Sequence, residues 1–169
     1  VLDGDDMLER LDSTDTITGL PEGAAERTVI TVVKYDSAAA FAGVAYGDAV
    51  ANSAFGTVVS GSGGDLALQG YVTDLVSTVA ASGEGWLIQA GTYDGTDWAL
   101  YSGDVERVSG PFAATTAAER IVIGREIGDA GYATMEVAAV LIYDEALSTT
   151  ELTTVYDYLN TKYIGAVTN

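Results

Sequence analysis

Apolar and polar positions alternate along much of this chain, and the alternating stretches are short and separated by glycine-rich turns. The segment TVITVVKY, residues 28–35, is almost continuously apolar and β-branched, which predicts a strand covered on both faces. The same pattern predicts four further strands, over residues 55–59, 65–72, 120–124 and 134–144. In the second of these, alternation places Leu66, Leu68 and Val72 on one face.

The stretch GWLIQAGTYDGTDWALYSG, residues 85–103, predicts a β-hairpin. Its turn contains Asp94 and Gly95, a pair suited to the positive φ that tight hairpin turns require. Alternation groups Trp86, Ile88 and Ala90 on one strand, and Trp98 and Leu100 on the other. The long apolar bodies of Trp86 and Trp98 favour a place in the core between two sheets. The alternative is a platform on which a sugar stacks, which requires an exposed aromatic side chain.

A helical period is found at the C-terminus, in ALSTTELTTVYDYLNTKYIG. Ser148 followed by Glu151 forms a capping box, so we predict a helix over residues 149–163. Leu147 before the cap and Leu152 within the helix fit a hydrophobic staple. One apolar stripe results, composed of Leu152, Val155, Tyr156, Leu159 and Tyr163. This stripe must pack on the sheet of its own chain or on a neighbouring molecule.

The composition supports an all-β fold and excludes several chemistries. The 169 residues are enough for one domain, 1–169, and not clearly for two. With 20 glycines and 2 prolines between short strands, we predict a two-sheet antiparallel sandwich closed by one short C-terminal helix. The chain has 0 cysteines and 0 histidines, so it offers no disulfide, no thiol nucleophile and no histidine base or metal ligand.

The charge is strongly acidic, with 7 Lys plus Arg against 25 Asp plus Glu and a net charge of -18. Nucleic acid is a disfavoured partner, because phosphate binding needs cationic patches. An anionic membrane surface is disfavoured for the same reason. No apolar run reaches the roughly 18 residues of a membrane-spanning helix, so we expect no membrane insertion. The acidity is typical of a highly soluble surface, and the alternative is a cation-binding surface.

Several segments of this chain, in their order and spacing, resemble the laminin-G-like branch of the concanavalin A-like jelly-roll superfamily. The segments that carry the resemblance are LDGDDMLE (2–9), TVITVVKY (28–35), the hairpin above, IVIGR (121–125) and MEVAAVLIYDEALSTTEL (135–152). Two departures occur in the hairpin: Leu87 replaces the usual histidine after the tryptophan, and Ser102-Gly103-Asp104 replaces the usual Asp-Gly turn. The resemblance implies a jelly roll over nearly the whole chain.

Some members of this superfamily are glucanases, whose pattern is Glu-x-Asp-x-x-Glu on one strand. No glutamate of this chain is followed by aspartate two residues later. Glu136, the nearest candidate on a strand, precedes Ala138 and Ala139 and is interpreted as an outward-facing strand residue. A serine hydrolase would need a histidine that the chain lacks. We therefore predict a protein that is not an enzyme.

Two groups of aspartates are candidates for calcium. Asp3, Asp5 and Asp6 lie in one early turn, and Asp94 and Asp97 lie in the hairpin turn. Carboxylates and backbone carbonyls in a loop suit Ca²⁺, and many laminin-G-like domains carry a calcium at a rim or outer-face turn. The alternative is that aspartate favours turns because it hydrogen-bonds its own backbone. We place the metal hypothesis first on Asp3, Asp5 and Asp6.

Two function classes fit these observations. The first is a surface recognition or adhesion module whose ligand is a glycan, bound by exposed aromatics such as Tyr46, Tyr71 or Tyr132. The second is a structural protein of an assembly, such as a phage capsid decoration or tail protein, with other subunits as partners. Its contact patch could be the alanine-rich segment 37–47, which could equally be a small-residue loop packed on its own domain. Either class predicts an extracellular, cell-surface or virion-surface location.

The acidity gives a first testable prediction. Like charges strain the compact state, and added salt shortens the reach of their repulsion from roughly 30 Å at 0.01 M to roughly 3 Å at 1 M. The melting temperature is therefore expected to rise with NaCl. If Asp3, Asp5 and Asp6 bind calcium, Ca²⁺ will raise it further than Mg²⁺ at matched ionic strength, and Asp5→Asn will remove the difference. A melting temperature that is flat in NaCl contradicts the repulsion argument. Equal responses to both cations contradict the calcium site.

Overall fold

The computed structural model describes residues 2–3, 8–11, 17–38, 41–61, 64–81 and 85–165. Twelve strands lie in this part of the chain, followed by one α-helix. The strands are β1 (Leu2–Asp3), β2 (Leu8–Leu11), β3 (Arg27–Ala38), β4 (Ala42–Gly47), β5 (Ala54–Val59), β6 (Asp65–Gln69), β7 (Asp74–Ala80), β8 (Leu87–Tyr93), β9 (Asp97–Ser102), β10 (Val105–Pro111), β11 (Arg120–Arg125) and β12 (Ala133–Tyr143). The helix is α1 (Thr149–Leu159), and a π-helical segment, Asn160–Ile164, continues it.

The strands form two six-stranded sheets. Sheet A has the order β1-β12-β3-β8-β9-β10, and sheet B has the order β2-β11-β4-β5-β6-β7. All neighbouring strands pair antiparallel. The predicted fold class, an all-β jelly-roll sandwich with one short C-terminal helix, is confirmed.

The core between the sheets is aliphatic and aromatic. Trp98 is buried there and stacks on Phe112, with ring centroids 3.9 Å apart. Leu66 and Leu68 point into this core, as the alternation predicted. Val72 does not share their face, because β6 ends at Gln69 and Val72 lies in the following turn with φ 71° and 76% of its surface exposed.

One end of this core holds a buried cation. Arg27 is fully buried, with 0% of its surface exposed, and lies close to two aromatic rings. Its guanidinium donates hydrogen bonds to the carbonyl oxygens of Pro21, Gly23 and Ala25 and to the hydroxyl of Tyr46. No ion pair joins Arg27 to a carboxylate in the described ranges. Carbonyl oxygens and ring faces therefore compensate the desolvation of this charge.

Helix α1 covers the outer face of sheet A. Its capping box is present as predicted, since the Ser148 side chain accepts from the N–H of Glu151 and the Glu151 side chain accepts from the N–H of Ser148. The predicted stripe packs on Ile30, Val32, Ile88 and Ala90. β3 is therefore covered on both faces, as its continuous apolar sequence indicated. The α-helix ends at Leu159, and the predicted span to residue 163 is completed by the π-helical segment. No helix in the described ranges has the length and apolarity needed to cross a bilayer.

The connection between β11 and β12, residues 126–132, covers part of the outer face of sheet B. Ile127 is fully buried there against Ala45, Ala54, Val58, Ala67 and Val122. Arg125 forms an ion pair with Asp129, and Arg120 reaches Asp48. The small side chains of Ala45 and Ala54 leave room for Ile127. Residues 42–47 of the alanine-rich segment 37–47 are not a loop, because they form the buried strand β4.

The burial of the helix stripe gives a second prediction. Leu159 has 1% of its surface exposed, and Leu159→Ala is expected to lower the free energy of unfolding by roughly 2–5 kcal/mol in a denaturant titration. Tyr158, the preceding residue, is 58% exposed, so Tyr158→Ala is the matched control and should change stability by about 0.5 kcal/mol or less. Equal effects of the two substitutions would show that α1 is not docked in solution.

Candidate functional site

A groove of about 330 Å³ opens where sheet A, the edge of sheet B and the C-terminal helix meet. We call it the Trp86 groove. Two aromatic side chains, Trp86 and Tyr156, line it. Its apolar lining comes from Leu66, Val79, Ala80, Leu87, Ile88 and Ile164, and its polar lining from Ser102, Gly103, Arg107 and Asn160.

Trp86 reaches this groove because it lies outside the core between the sheets. It is only partly buried and packs on the outer face of sheet A beside Ile88 and the helix. The sequence-based interpretation of Trp86 as a core residue is therefore wrong, whereas that of Trp98 is confirmed. The reason is the hairpin register: Tyr93 pairs with Trp98, so the face that carries Trp98 is opposite to the face that carries Trp86.

The helical wall of the groove is formed where α1 becomes a π-helix. Asn160 begins the π-helical segment, and its carbonyl accepts the N–H of Gly165, five residues later. Asn160 and Ile164, the first and last residues of this segment, line the groove together with Tyr156 of α1. Such π-helical turns are frequent at functional sites. Across the groove, Gly103 has φ 66°, and a Cβ there would lie 3.3 Å from the Tyr156 ring, so a glycine suits both the turn and the approach of the ring.

The polar groups of the groove include hydroxyl, amide and guanidinium groups. Ser102 and Asn160 are half-buried, and Arg107 is exposed. The Nη2 of Arg107 donates to the carbonyl oxygen of Ser102 over 3.5 Å, which is long for a hydrogen bond. An aromatic wall beside a few converging donors and acceptors is the usual make-up of a small-molecule site. The groove can therefore stack a flat apolar surface and bind polar groups at the edge of that surface.

The three tyrosines predicted to bind a ligand lie in different environments. Tyr46 has 1% of its surface exposed, and its ring packs on Phe55 in the core. Its hydroxyl donates to the carbonyl oxygen of Pro21, and burial raises the pKa of that hydroxyl. Tyr46 is thus a structural residue, and its prediction as an exposed ligand-binding aromatic is wrong. It lies on the inward-facing side of β4, in a segment for which the sequence left open a contact patch or a packed loop.

Tyr71 and Tyr132 are both associated with the β11–β12 connection on the outer face of sheet B. The Tyr71 ring lies against Gly128, where a Cβ would be 2.7 Å from a ring carbon. Tyr132 pairs with Arg125 at the base of the connection and is 38% exposed. Their role in ligand binding stays a prediction. Neither residue lines the Trp86 groove.

Two carboxyl groups on this outer face have raised pKa values. Burial raises the pKa of Asp74, although its carboxylate also accepts the N–H of Gly70. Burial also raises the pKa of Glu126, and the nearby negative charges of Asp74 and Asp129 add to the effect. The carboxylate of Glu126 accepts the N–H of Ala130. Both groups therefore hold turns together and carry their negative charge at a cost in stability.

The aspartates considered for calcium have different outcomes. Asp3 falls in β1, whereas Asp5 and Asp6 lie outside the described residues, so calcium binding there stays a prediction. Oδ1 of Asp94 accepts hydrogen bonds from the N–H and hydroxyl of Thr96 and from the N–H of Asp97, which lowers the pKa of Asp94. These hydrogen bonds agree with the alternative to calcium, in which Asp94 stabilises its own turn. Within the described ranges, no three carboxylates come together as a metal-binding group.

The Trp86 groove was missed by sequence reasoning for an identifiable reason. Its residues come from five separate parts of the chain, at 66, 79–80, 86–88, 102–107 and 156–164. The alternation of side chains along the hairpin could have revealed it, because this alternation places the two tryptophans on opposite faces. Together with the apolar stripe of α1, it predicts that Trp86 and Tyr156 lie on the same side of sheet A.

Comparisons with known proteins show the fold. No protein-family model matches the chain, and no curated protein matches it. Domain 4 of an extracellular arabinanase from Geobacillus stearothermophilus, solved with arabinotriose, superposes with a TM-score of 0.64 at 20% identity, covering 92% of this chain and 75% of that one. A heptameric SAP-like pentraxin from Limulus polyphemus gives 0.60 at 18% identity, covering 89% and 82%.

An α-L-arabinofuranosidase soaked with 4-nitrophenyl α-L-arabinofuranoside gives a higher TM-score, 0.72, at 12% identity. The match covers 92% of this chain and 39% of the enzyme chain. At such low identities these likenesses support a concanavalin A-like sandwich fold.

The raised pKa of Glu126 gives a third prediction. A carboxyl with a higher pKa in the folded state binds its proton more readily there, so stability falls as the pH rises from the ordinary pKa through the raised one. Glu126→Gln keeps an acceptor for Ala130 and removes the charge, so it is expected to raise the melting temperature at pH 7. The gain should disappear below about pH 4, where glutamate is protonated in the unfolded chain.

Glu145→Gln is the matched control, because Glu145 is exposed and lies outside this surface. It removes the same charge and should raise the melting temperature less. A gain from Glu126→Gln that equals the control, or that persists unchanged at pH 3, contradicts the prediction.

Proposed function

We propose that this protein is a non-catalytic glycan-recognition module that binds its ligand in the Trp86 groove. The observation that carries the proposal is the position of Trp86, which leaves the core and lines an open groove together with Tyr156 and three polar side chains. An accessible aromatic side chain can stack on a sugar ring, whereas a tryptophan buried in the core cannot. The proposed location is extracellular, on a cell surface or on a virion surface.

The chemistry of the groove suits a sugar ring. The C–H face of a sugar is apolar and packs on an aromatic ring, whereas its hydroxyls require hydrogen-bond partners. Trp86 and Tyr156 provide the rings, and Ser102, Arg107 and Asn160 provide donors and acceptors. A volume of about 330 Å³ lies at the lower end of the range for small-molecule sites, so the ligand is a short glycan segment rather than a long chain.

Two resemblances support this proposal. The arabinanase domain with the same fold was solved in complex with arabinotriose. The sequence segments described above resemble laminin-G-like domains, a branch known for recognition and adhesion. The alternative function, a subunit of a larger assembly, relied on segment 37–47 as a contact patch. Residues 42–47 of that segment form the buried strand β4, so these residues do not supply the patch.

The non-catalytic part of the proposal rests on the carboxylates. Glu136, the nearest strand candidate for a glycosidase residue, pairs with Lys34, with 2.8 Å between Oε1 and Nζ. Asp74 and Glu126 both accept backbone N–H groups in turns. Glycoside hydrolysis needs two carboxyls that face one bond from opposite sides, about 5 Å or more apart. Neither carboxylate of that outer-face pair lines the Trp86 groove.

The fourth prediction tests binding directly. The chain has 2 tryptophans, so Trp98→Phe leaves Trp86 as the sole indole fluorophore. On a background of Trp98→Phe, titration with a panel of oligosaccharides is expected to change the Trp86 emission for at least one ligand. In the wild-type protein, Trp86→Ala should weaken that binding by about tenfold or more in calorimetry, since loss of a stacking ring removes at least about 1.4 kcal/mol.

Tyr132→Ala is the matched control, because it removes an exposed ring from the other face of the molecule. If Tyr132→Ala abolishes binding and Trp86→Ala does not, the site is the outer face of sheet B. Asn160→Ala provides a variant that leaves both rings in place and should also weaken binding. Release of reducing ends from any panel member, abolished by Glu126→Gln or Glu136→Gln, would contradict the non-catalytic assignment.

A further inference from the structure

The Trp86 groove has an unusual charge for this chain. The protein contains 25 Asp plus Glu and 7 Lys plus Arg, yet none of the described residues that line the groove is acidic. The charged residue among them is Arg107. A positive groove on a protein with a net charge of -18 is not explained by solubility, because acidic residues serve solubility here.

The other cations with described side chains already have partners. Lys34 pairs with Asp36 and Glu136, Arg120 with Asp48 and Asp129, and Arg125 with Asp129. Arg27 is enclosed by carbonyl oxygens. Lys162 donates to the Tyr158 hydroxyl and lies over two tyrosine rings. Arg107, by contrast, has no ion pair with a described carboxylate, and its hydrogen bond to Ser102 is 3.5 Å long.

The nearest acidic side chain along the strand does not neutralise Arg107. The carboxylate of Glu106 accepts hydrogen bonds from the hydroxyls of Tyr101 and Ser109. A guanidinium has five N–H donors in a planar fork that matches a carboxylate. Arg107 therefore presents unused donors beside the two aromatic side chains of the groove.

We infer that the ligand of the Trp86 groove is a saccharide that carries a carboxylate, such as a hexuronate, and that Arg107 pairs with this carboxylate while Trp86 packs on the sugar ring. This inference rests on the proposed function. The negative charge of the whole protein opposes the approach of an anion, but at about 0.15 M salt that repulsion reaches only about 8 Å. Inside the groove, the closest described charge is that of Arg107.

The experiment compares two ligands that differ in whether their carboxyl groups are charged. Oligogalacturonate is titrated into the protein by calorimetry at 0.15 M salt, beside the same oligomer in its fully methyl-esterified form. The free acid is expected to bind about tenfold tighter or more, as one charge-assisted pair provides. Arg107→Gln should remove this preference and leave the two oligomers with similar affinity. Arg107→Lys keeps the charge and loses the fork, so it should restore the preference in part.

The outcomes separate this inference from the proposed function. If acid and ester bind equally, and Trp86→Ala weakens both, the groove binds glycans and the carboxylate inference is overturned. The inference is also overturned if neither oligomer binds while a neutral glycan of the panel does. If no glycan binds at all, the proposed function fails as well. Trp86→Ala and Arg107→Gln are each checked by circular dichroism and melting temperature, so that loss of binding is not a loss of fold.

Discussion

The structure depends on the burial of β3 and β8 from both sides. Their inward faces pack on sheet B, and their outward faces carry Ile30, Val32, Ile88 and Ala90. Two adjacent strands with apolar outer faces cannot be left in water without exposing a contiguous apolar patch. The stripe of α1 covers that patch. The capping box at Ser148 fixes where the helix begins, and so which residues face the sheet.

The groove is a product of this arrangement. Trp86 immediately precedes β8 and packs on the outer face of sheet A, at the edge of the area that α1 covers. Tyr156 of α1 and Asn160 and Ile164 of the π-helical segment form the helical side of the groove. The turn between β9 and β10 adds Gly103, and β10 adds Arg107. The site therefore lies at the edge of the interface between α1 and sheet A, and its two aromatic side chains are partly buried and partly exposed to solvent.

Much of the fold could be predicted because its signals are local. The continuous β-branched run of β3, the turn at Asp94-Gly95 and the capping box each depend on residues within a few positions of one another. The misses have non-local causes. Val72 follows the alternation of β6 but lies beyond its end, because a turn begins at Gly70. The small side chains of β4 do not by themselves indicate a buried strand. Ala45 is buried because Ile127, more than 80 residues later in the chain, packs on it.

The candidate site was less predictable than the fold. Exposure of an aromatic depends on which face of which sheet it occupies, and this cannot be read from the strand alone. Tyr46 was expected at the surface and lies in the core. Trp86 was expected in the core and lies on the outer face of sheet A. The edge strands β7 and β10 carry many exposed residues and little alternation, so their existence, and the position of Arg107 on one of them, required the assembled sheets.

The hydrogen bonds that hold Arg27 at one end of the sandwich do not depend on a carboxylate that acid could protonate. Most buried cations in proteins are held by carboxylates, and such pairs are lost when the carboxylate is protonated. The oxygen atoms around Arg27 are carbonyls and a tyrosine hydroxyl, none of which takes up a proton between pH 2 and 7. Protonation of a carboxylate removes the attraction within the ion pairs of Lys34, Arg120 and Arg125, whereas the contacts of Arg27 do not involve a carboxylate. Acid therefore weakens the contacts made by ion pairs at the surface and leaves the hydrogen bonds of Arg27 at the end of the sandwich in place.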